Sequence, residues 1–216
     1  MKPKEILDNS QSLWNIFLYV EAFAVDHAFQ LIWTEARPYY FKARPMDIVH
    51  IEWMKGIART LCAKEKIDST ILIPLVILHD VGYSSTRKGN PFDLDVRKYH
   101  MDEGAKIASA ILAHINYPSD KTKHIVHYVS IHDEWAFGNS AVFNNDIFLG
   151  TLNDLDFIWM LTPKGFEEIG RIRNYSVCEM LNFVETNEKL TNRPLCTDTT
   201  KRLFLSYLEE RTIHNV

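Results

Sequence analysis

An uninterrupted apolar run over residues 71–78 ends directly in two adjacent side chains that can bind a metal ion, His79 and Asp80. A run this apolar belongs in the core, as a helix or as a buried strand, and periodicity alone does not separate the two. Gly82 follows and is a typical helix stop. An imidazole and a carboxylate at the edge of a core need a partner, and a divalent cation bound by both would supply one.

The residues before this run predict two amphipathic helices. Apolar residues three and four apart indicate the first over residues 10–36, which should end at Arg37 because the residue before a proline avoids the helical region. The aromatic and basic residues 39–44 would then form a connector, either packed as a loop or covering an active site. Asp47 is a plausible N-cap of the second helix.

His50 lies on or near the buried side of that second helix. Taken alone, it is more typical of a core histidine than of a ligand. The chain between His50 and His79 is long enough for two antiparallel helices joined by a turn at residues 66–68. That arrangement would bring the two imidazoles face to face.

Histidines also accompany the next two predicted helices, over residues 96–115 and 123–133. His100 is in the first helix, and His132 lies at the end of the second. Both are followed by acidic residues that would favour a cation, although His and acid clusters are also ordinary helix ends facing water. His127 is at best a neighbour of such a site.

A further apolar helix, predicted over residues 145–161, is interrupted by Asp154 and Asp156. Neighbours two apart in a helix point in different directions, so only one of the two should face a site. Two closing helices, over residues 166–190 and 199–211, show no chemistry beyond packing.

A polar loop lies between the apolar run and the helix predicted over residues 96–115. Its Arg87 and Lys88 suit contact with an anionic group as readily as contact with solvent.

Composition narrows the class of protein. With 216 residues, of which 46% are hydrophobic, the chain can bury a sizeable core, and a single domain over residues 1–216 is expected. A net charge of -4 and the lack of basic runs argue against nucleic acid. Three widely spaced cysteines favour a reducing cytoplasm. The sequence predicts neither a membrane span nor a signal peptide.

The ordered set of His50, His79-Asp80, His100, His132 and an aspartate at 154 or 156 resembles the HD-domain superfamily of metal-dependent phosphohydrolases. The phrases that carry the likeness are Ile-Val-His50, Leu-Val-Ile-Leu-His79-Asp80-Val-Gly, His100-Met-Asp-Glu-Gly-Ala, Ile-Val-His-Tyr-Val-Ser-Ile-His132 and Asp154-Leu-Asp156-Phe-Ile. The likeness covers roughly residues 46–165. It implies an all-α, HD-domain-like helical bundle, with helices 10–36 and 166–212 as additions.

The resemblance also implies a metal centre. His50, His79, Asp80 and a closing aspartate would bind the first ion, and Asp156 is preferred because the family's Asp-Ala-Asp-Arg-Leu phrase aligns its second acid there. His100 and His132 match positions that bind a second ion in some branches, with Asp80 bridging the two. His79 and Asp80 would be catalytic. The mixed imidazole and carboxylate set suits iron, manganese, nickel, cobalt or zinc, with magnesium as a further candidate.

The chain departs from the family in three places. Phe157 stands where a basic residue is common, which puts a phosphate contact in doubt. The glutamate that follows the His-Asp pair in the deoxynucleotidase branch has no counterpart within residues 81–85. The Gly-Tyr-Pro phrase of the cyclic dinucleotide phosphodiesterases is also missing from the sequence.

The resemblance predicts a hydrolase that acts on a small phosphorylated molecule, nucleotides included, by metal-activated water. Two alternatives stay open. Diiron oxygenases related to inositol oxygenase use a similar set of four histidines and two aspartates, and a metal-binding or ligand-binding module without turnover would need the same residues. No nucleic acid or membrane partner is expected, and the apolar N-terminal helix makes a homodimer a candidate assembly.

Overall fold

The computed structural model of the chain describes residues 24–86, 90–187 and 195–214. Within these ranges the regular structure is entirely helical, with no β-strand, which confirms the all-α prediction. Across the same ranges, no helix combines the length and apolar character needed to cross a lipid bilayer. Arg87 and Lys88, which the sequence suggests could contact an anion, lie outside the described residues, as does the predicted helix start at residue 10.

The helices follow one another with short connections. We number the α-helices of the described residues α1 (24–43), α2 (Met46–Glu65), α3 (Ser69–Leu78), α4 (Leu94–His114), α5 (Ser119–Ile131), α6 (Ala141–Asn144), α7 (Ile147–Trp159), α8 (Pro163–Arg173), α9 (Val177–Glu185) and α10 (Asp198–His214). Short 3-10 helices cover Val81–Ser85 and Glu134–Phe137.

Helix α3 is the centre of the core, because every one of its residues from Ile71 to Leu78 is buried. A helix that is apolar on all sides has no solvent face, so other helices must surround it. It packs against α2, α5 and α7. The side chain of Asp68 caps its first turn by accepting a hydrogen bond from the Thr70 amide at 2.9 Å.

Helix α1 continues through Pro38 to residue 43, so the predicted end at Arg37 is wrong, and residues 39–43 are helical instead of forming a loop. An interior proline costs a helix about 3 kcal/mol because it removes a hydrogen bond and crowds the preceding turn. Burial compensates for this cost here. The Tyr40 ring is buried beside Trp33, and its hydroxyl donates to the Ile77 carbonyl at 2.7 Å, which ties α1 to α3.

Two further sequence expectations also fail near the site. Asp47 does not cap α2, since it lies inside the first turn, where it accepts a hydrogen bond from Arg44 Nε at 2.6 Å. Gly82 does not stop α3, which already ends at Leu78, and it lies within a 3-10 helix. A β-carbon at Gly82 would come within 1.9 Å of the His100 carbonyl oxygen, so this glycine permits α4 to approach closely.

The predicted closing helix over residues 166–190 is two helices, α8 and α9. The break falls at Asn174, whose backbone is left-handed with φ 55. Ser176 then starts α9 with a capping box, in which its side chain and that of Glu179 bond each other's backbone amides. The C-terminal helix α10 packs against α7 and α2.

Candidate metal centre

Four helices bring their histidines to one buried place. His50 lies in α2 and His100 in α4, while His79 and His132 directly follow α3 and α5 as their C-caps. All four are buried, together with Asp80. The rings of His50 and His79 lie 5.7 Å apart between centroids, so α2 and α3 bring them together as predicted, but they meet edge to face, with 85° between their planes.

Within the described residues, these side chains form two groups that could each hold a metal ion. The first group is His50, His79 and Asp80, and the second group is Asp80, His100 and His132. In each group, one ligand atom from every residue lies within 4.8 Å of the others. The two groups therefore share one residue, Asp80.

The two carboxylate oxygens of Asp80 are directed to different partners. Its Oδ1 lies 3.5 Å from Nε2 of His100 and 3.5 Å from Nε2 of His132. Its Oδ2 lies 3.5 Å from His79 Nε2 and accepts a hydrogen bond from the Arg44 guanidinium at 2.9 Å. Each oxygen thus faces one of the two groups.

Backbone carbonyls fix which ring nitrogen is available in two of the histidines. Nδ1 of His79 donates to the Val76 carbonyl at 2.9 Å, and Nδ1 of His132 donates to the Val129 carbonyl at 2.8 Å. A carbonyl can only accept, so in the neutral rings the proton is on Nδ1 and the lone pair is on Nε2. In both residues Nε2 is the atom directed toward Asp80.

Three buried histidine ring nitrogens lack a hydrogen bond from any described residue. Two of them belong to the first group, Nε2 of His50 and Nε2 of His79, and the third is Nδ1 of His100. A buried polar atom without a partner is costly, and a cation that accepts the lone pairs of the two Nε2 atoms would remove that cost in the first group. In the second group, Nε2 of His100 and Nε2 of His132 are 3.1 Å apart, which requires a proton or a metal ion close to both. The donor set therefore fits a metal.

Burial and charge set the protonation of these residues. Burial lowers the pKa of His50 to about 4, so the ring is neutral at pH 7 and ready to bind a metal. Burial alone would raise the pKa of Asp80, but His79, His100, His132 and Arg44 outweigh it and hold that pKa well below its usual range. Asp80 is therefore ionised in the folded protein.

Asp156 and Asp154 have different surroundings. Asp156 Oδ1 lies 3.4 Å from His50 Nε2, and its side chain is 34% exposed. Asp154 is fully buried and accepts hydrogen bonds from the Cys196 amide at 2.6 Å and the Thr200 hydroxyl at 2.8 Å. The carboxylate beside His50 is thus that of Asp156, the aspartate that the sequence favoured as a ligand. Asp156 lies next to the first group but is not one of the residues whose ligand atoms all lie within 4.8 Å of one another.

Asp133 is the acid that lies close to the second group. Its Oδ2 is 3.7 Å from His100 Nε2 and accepts a hydrogen bond from Arg97 at 2.5 Å. The two acids that follow His100 form ion pairs with lysines of the same helix, Asp102 with Lys98 and Glu103 with Lys106. Sequence analysis missed Arg97, although it stands three residues before His100 and so shares its helical face.

Aromatic rings and a cation hold the histidines in place. Tyr83 stacks on His100, with 4.0 Å between ring centroids and 10° between their planes. The Arg44 guanidinium lies 3.6 Å from the centroid of the same tyrosine ring. On the side of the first group, Trp159 stacks on His50 at 5.0 Å. These stacked rings restrict the motion of the His50 and His100 side chains.

A cavity of about 380 Å³ opens beside the first group and is bounded by α2, α4, α7, α8 and α9. This volume is within the range for small-molecule sites. His50, Asp80 and Asp156 line what we call its metal end. Arg97, Phe92, Arg173 and Phe183 line what we call its arginine end. Arg173 was not singled out from the sequence.

No protein-family model, curated protein or solved structure matches the chain in the comparisons with known proteins. The described residues nevertheless define a class, an all-α protein with a buried His/Asp cluster that could bind metal. What such a site does is inferred from its own side chains.

Proposed function

We propose that the chain is a metal-dependent phosphohydrolase of the HD type, acting on the phosphate ester of a small molecule such as a nucleotide. The observation that carries this proposal is the position of Asp80, which belongs to both ligand groups and offers one oxygen to each. A carboxylate shared in this way suits a pair of ions. Iron, manganese, nickel, cobalt and zinc fit the imidazole and carboxylate donors best, and magnesium is a weaker candidate.

Metal bound by His50, His79, Asp80, His100 and His132 would polarise a phosphoryl group and lower the pKa of bound water toward neutrality. The chain's own residues prepare the site for that chemistry. Arg44 holds Asp80 by donating to Oδ2, and it also pairs with Asp47, so its position is fixed from two sides. The backbone bonds from His79 and His132 keep both rings in the orientation that metal binding needs.

The cavity favours an anionic substrate. Arginines from three parts of the chain line it, and the guanidinium group matches the geometry of phosphate oxygens. Phe157 stands where the family commonly has a basic residue, so the phosphate contact expected there would have to come from another side chain. Arg44 and Arg97 are the arginines nearest to the ligand groups, through Asp80 and Asp133.

The second candidate is a diiron oxygenase. The four histidines that converge here, with Asp80 between them and Asp156 beside His50, also suit that chemistry. Lining arginines support hydrolysis over oxidation, because they suit a phosphate more than a neutral polyol. A non-catalytic metal-binding module would use the same ligands.

Metal analysis of anaerobically purified protein, followed by assays on a panel of phosphate esters with and without oxygen, separates these functions. We expect bound transition metal and phosphate release that does not depend on oxygen. Oxygen uptake coupled to product formation, without phosphate release, would replace hydrolysis by oxidation. Metal-loaded protein that is inert toward every ester and toward oxygen would favour the binding module.

A further inference from the structure

Arg173, the last residue of α8, is held by aromatic rings at the arginine end of the cavity. Its guanidinium carbon lies 4.0 Å from the centroid of the Phe92 ring and 4.3 Å from that of Phe183. Both phenylalanines also line the cavity. A guanidinium resting on aromatic faces is fixed in position while its nitrogens stay able to donate.

The other arginines that line the cavity all have carboxylate partners. Arg44 pairs with Asp47 and Asp80, Arg97 with Asp133, and Arg171 with Glu168. For Arg173, no carboxylate of the described residues lies within ion-pair distance. The positive charge of Arg173 on the wall of the cavity thus has no compensating carboxylate in the part of the chain that the structure describes.

Desolvation makes this lack of a partner costly. The Nε of Arg173 is fully buried and has no hydrogen-bond acceptor among the described residues. Burial lowers the pKa of Arg173, and a hydrogen bond with the Tyr175 side chain opposes this shift only in part; an arginine nevertheless stays charged at every physiological pH. An anion bound in the cavity by the terminal nitrogens of the guanidinium would compensate its charge.

We propose that Arg173 binds a second anionic group, a phosphate or a carboxylate, of the same small molecule whose phosphoryl group is held at the metal end. This inference rests on the proposed function. It makes the substrate a molecule with two anionic groups, one at each end of a cavity of about 380 Å³. Arg173 lies beyond residues 46–165, the segment with the HD likeness, so α8 would supply specificity that the metal-binding helices lack.

Non-hydrolysable probes test this inference by binding alone. The probes are linear α,ω-alkylene bisphosphonates of two to eight carbons, each matched with an alkylphosphonate of the same chain length. Their dissociation constants are measured by calorimetry on the full chain loaded with Mn²⁺, for wild type, Arg173→Gln, Arg173→Lys and Arg171→Gln. Arg171 is the matched control, because it lies on the same helix and lines the same cavity but is paired with Glu168.

We expect at least one bisphosphonate to bind wild type about tenfold or more tightly than its matched alkylphosphonate, as a charge-assisted hydrogen bond would give. Arg173→Gln should abolish this gain in affinity and leave alkylphosphonate binding unchanged. Arg173→Lys should keep part of the gain, and the control Arg171→Gln should keep all of it.

No gain at any chain length, or an undiminished gain in Arg173→Gln, overturns the inference. Should Arg173→Gln fail to fold, a full wild-type gain in Arg173→Lys overturns it. Failure of every alkylphosphonate to bind wild type overturns the proposed function as well.

Discussion

The metal end of the cavity is made of side chains from α2, α7 and the residues that follow α3, whereas the arginine end is made of side chains from α4, α8, α9 and the loop around Phe92. Beside the metal end, backbone carbonyls fix the rings of His79 and His132, and Nε2 of His50 and Nε2 of His79 have no hydrogen-bond partner among the described residues. At the arginine end, the Arg173 cation has no carboxylate partner among the described residues. The two ends are therefore complementary to opposite charges, which suits a metal ion at one and an anionic group at the other.

Removal of the carboxylate shared by the two groups should have the largest effect. Asp80→Ala takes a ligand from both groups, so we expect loss of both ions and a fall in apparent metal affinity of more than about 100-fold. His127→Ala is the control, since His127 is exposed on α5. Metal content per chain, measured after dialysis, checks this prediction. Equal metal retention by the two variants would contradict the position of Asp80 as the shared ligand.

Removal of a ligand from the second group should have a smaller effect. His100→Ala should lower the metal content from about two ions per chain toward one, with the first group still occupied. Loss of one ion should depress turnover more than substrate binding, because the second ion would stabilise charge in the transition state. A wild-type ratio near one that does not change on mutation would leave a site for a single metal.

The tight packing of the metal end can be tested with two glycines. Gly82→Ala would force a β-carbon against the His100 carbonyl, and we expect a loss of about 2 kcal/mol or more in the free energy of unfolding. Gly56→Ala is the matched control, because a β-carbon there meets nothing within 4 Å and the residue lies inside α2. That variant should gain about 0.5–1 kcal/mol. Urea denaturation of both variants measures the difference.

The smallest expected effects distinguish the two aspartates of α7. Asp154→Asn should lower the free energy of unfolding by about 1–3 kcal/mol, because it disturbs two buried hydrogen bonds, and should leave the metal content unchanged. Asp156→Asn should instead weaken metal retention and keep the free energy of unfolding within about 0.5 kcal/mol of wild type. Metal loss in Asp154→Asn with normal stability would show that the wrong carboxylate is assigned to the site.

The clustering of the histidines and Asp80 could be predicted from the sequence, because polar side chains inside apolar runs are conspicuous. His50, His79, His100 and His132 each interrupt or end a helical apolar face, and the structure brings all four together with Asp80. The arginine end gave no such signal. Arg97 and Arg173 lie on helices whose exposed faces also carry charges, and only their spacing from buried neighbours, such as Gly170 three residues before Arg173, shows that they point inward.

Local rules failed where tertiary contacts outweigh them. The rule that helices end before proline gives the wrong end for α1, since the buried Tyr40 and its bond to Ile77 keep the chain helical beyond Pro38. Gly82 resembled a helix stop, yet its role is set by α4, which is distant in sequence. Neither contact can be read from the residues adjacent to these positions.

The stacking of Tyr83 on His100 gives the protein an intrinsic chromophore at the second ligand group. The tyrosine ring is also close to the Arg44 guanidinium, and its hydroxyl donates to the Pro91 carbonyl at 3.3 Å, so the ring is held in one orientation. Ultraviolet absorption and near-ultraviolet circular dichroism of a fixed tyrosine respond to a charge placed beside it. Titration with a metal ion should therefore produce a difference spectrum near the tyrosine band that disappears in Tyr83→Phe, and occupancy of the second group can be followed without any added dye.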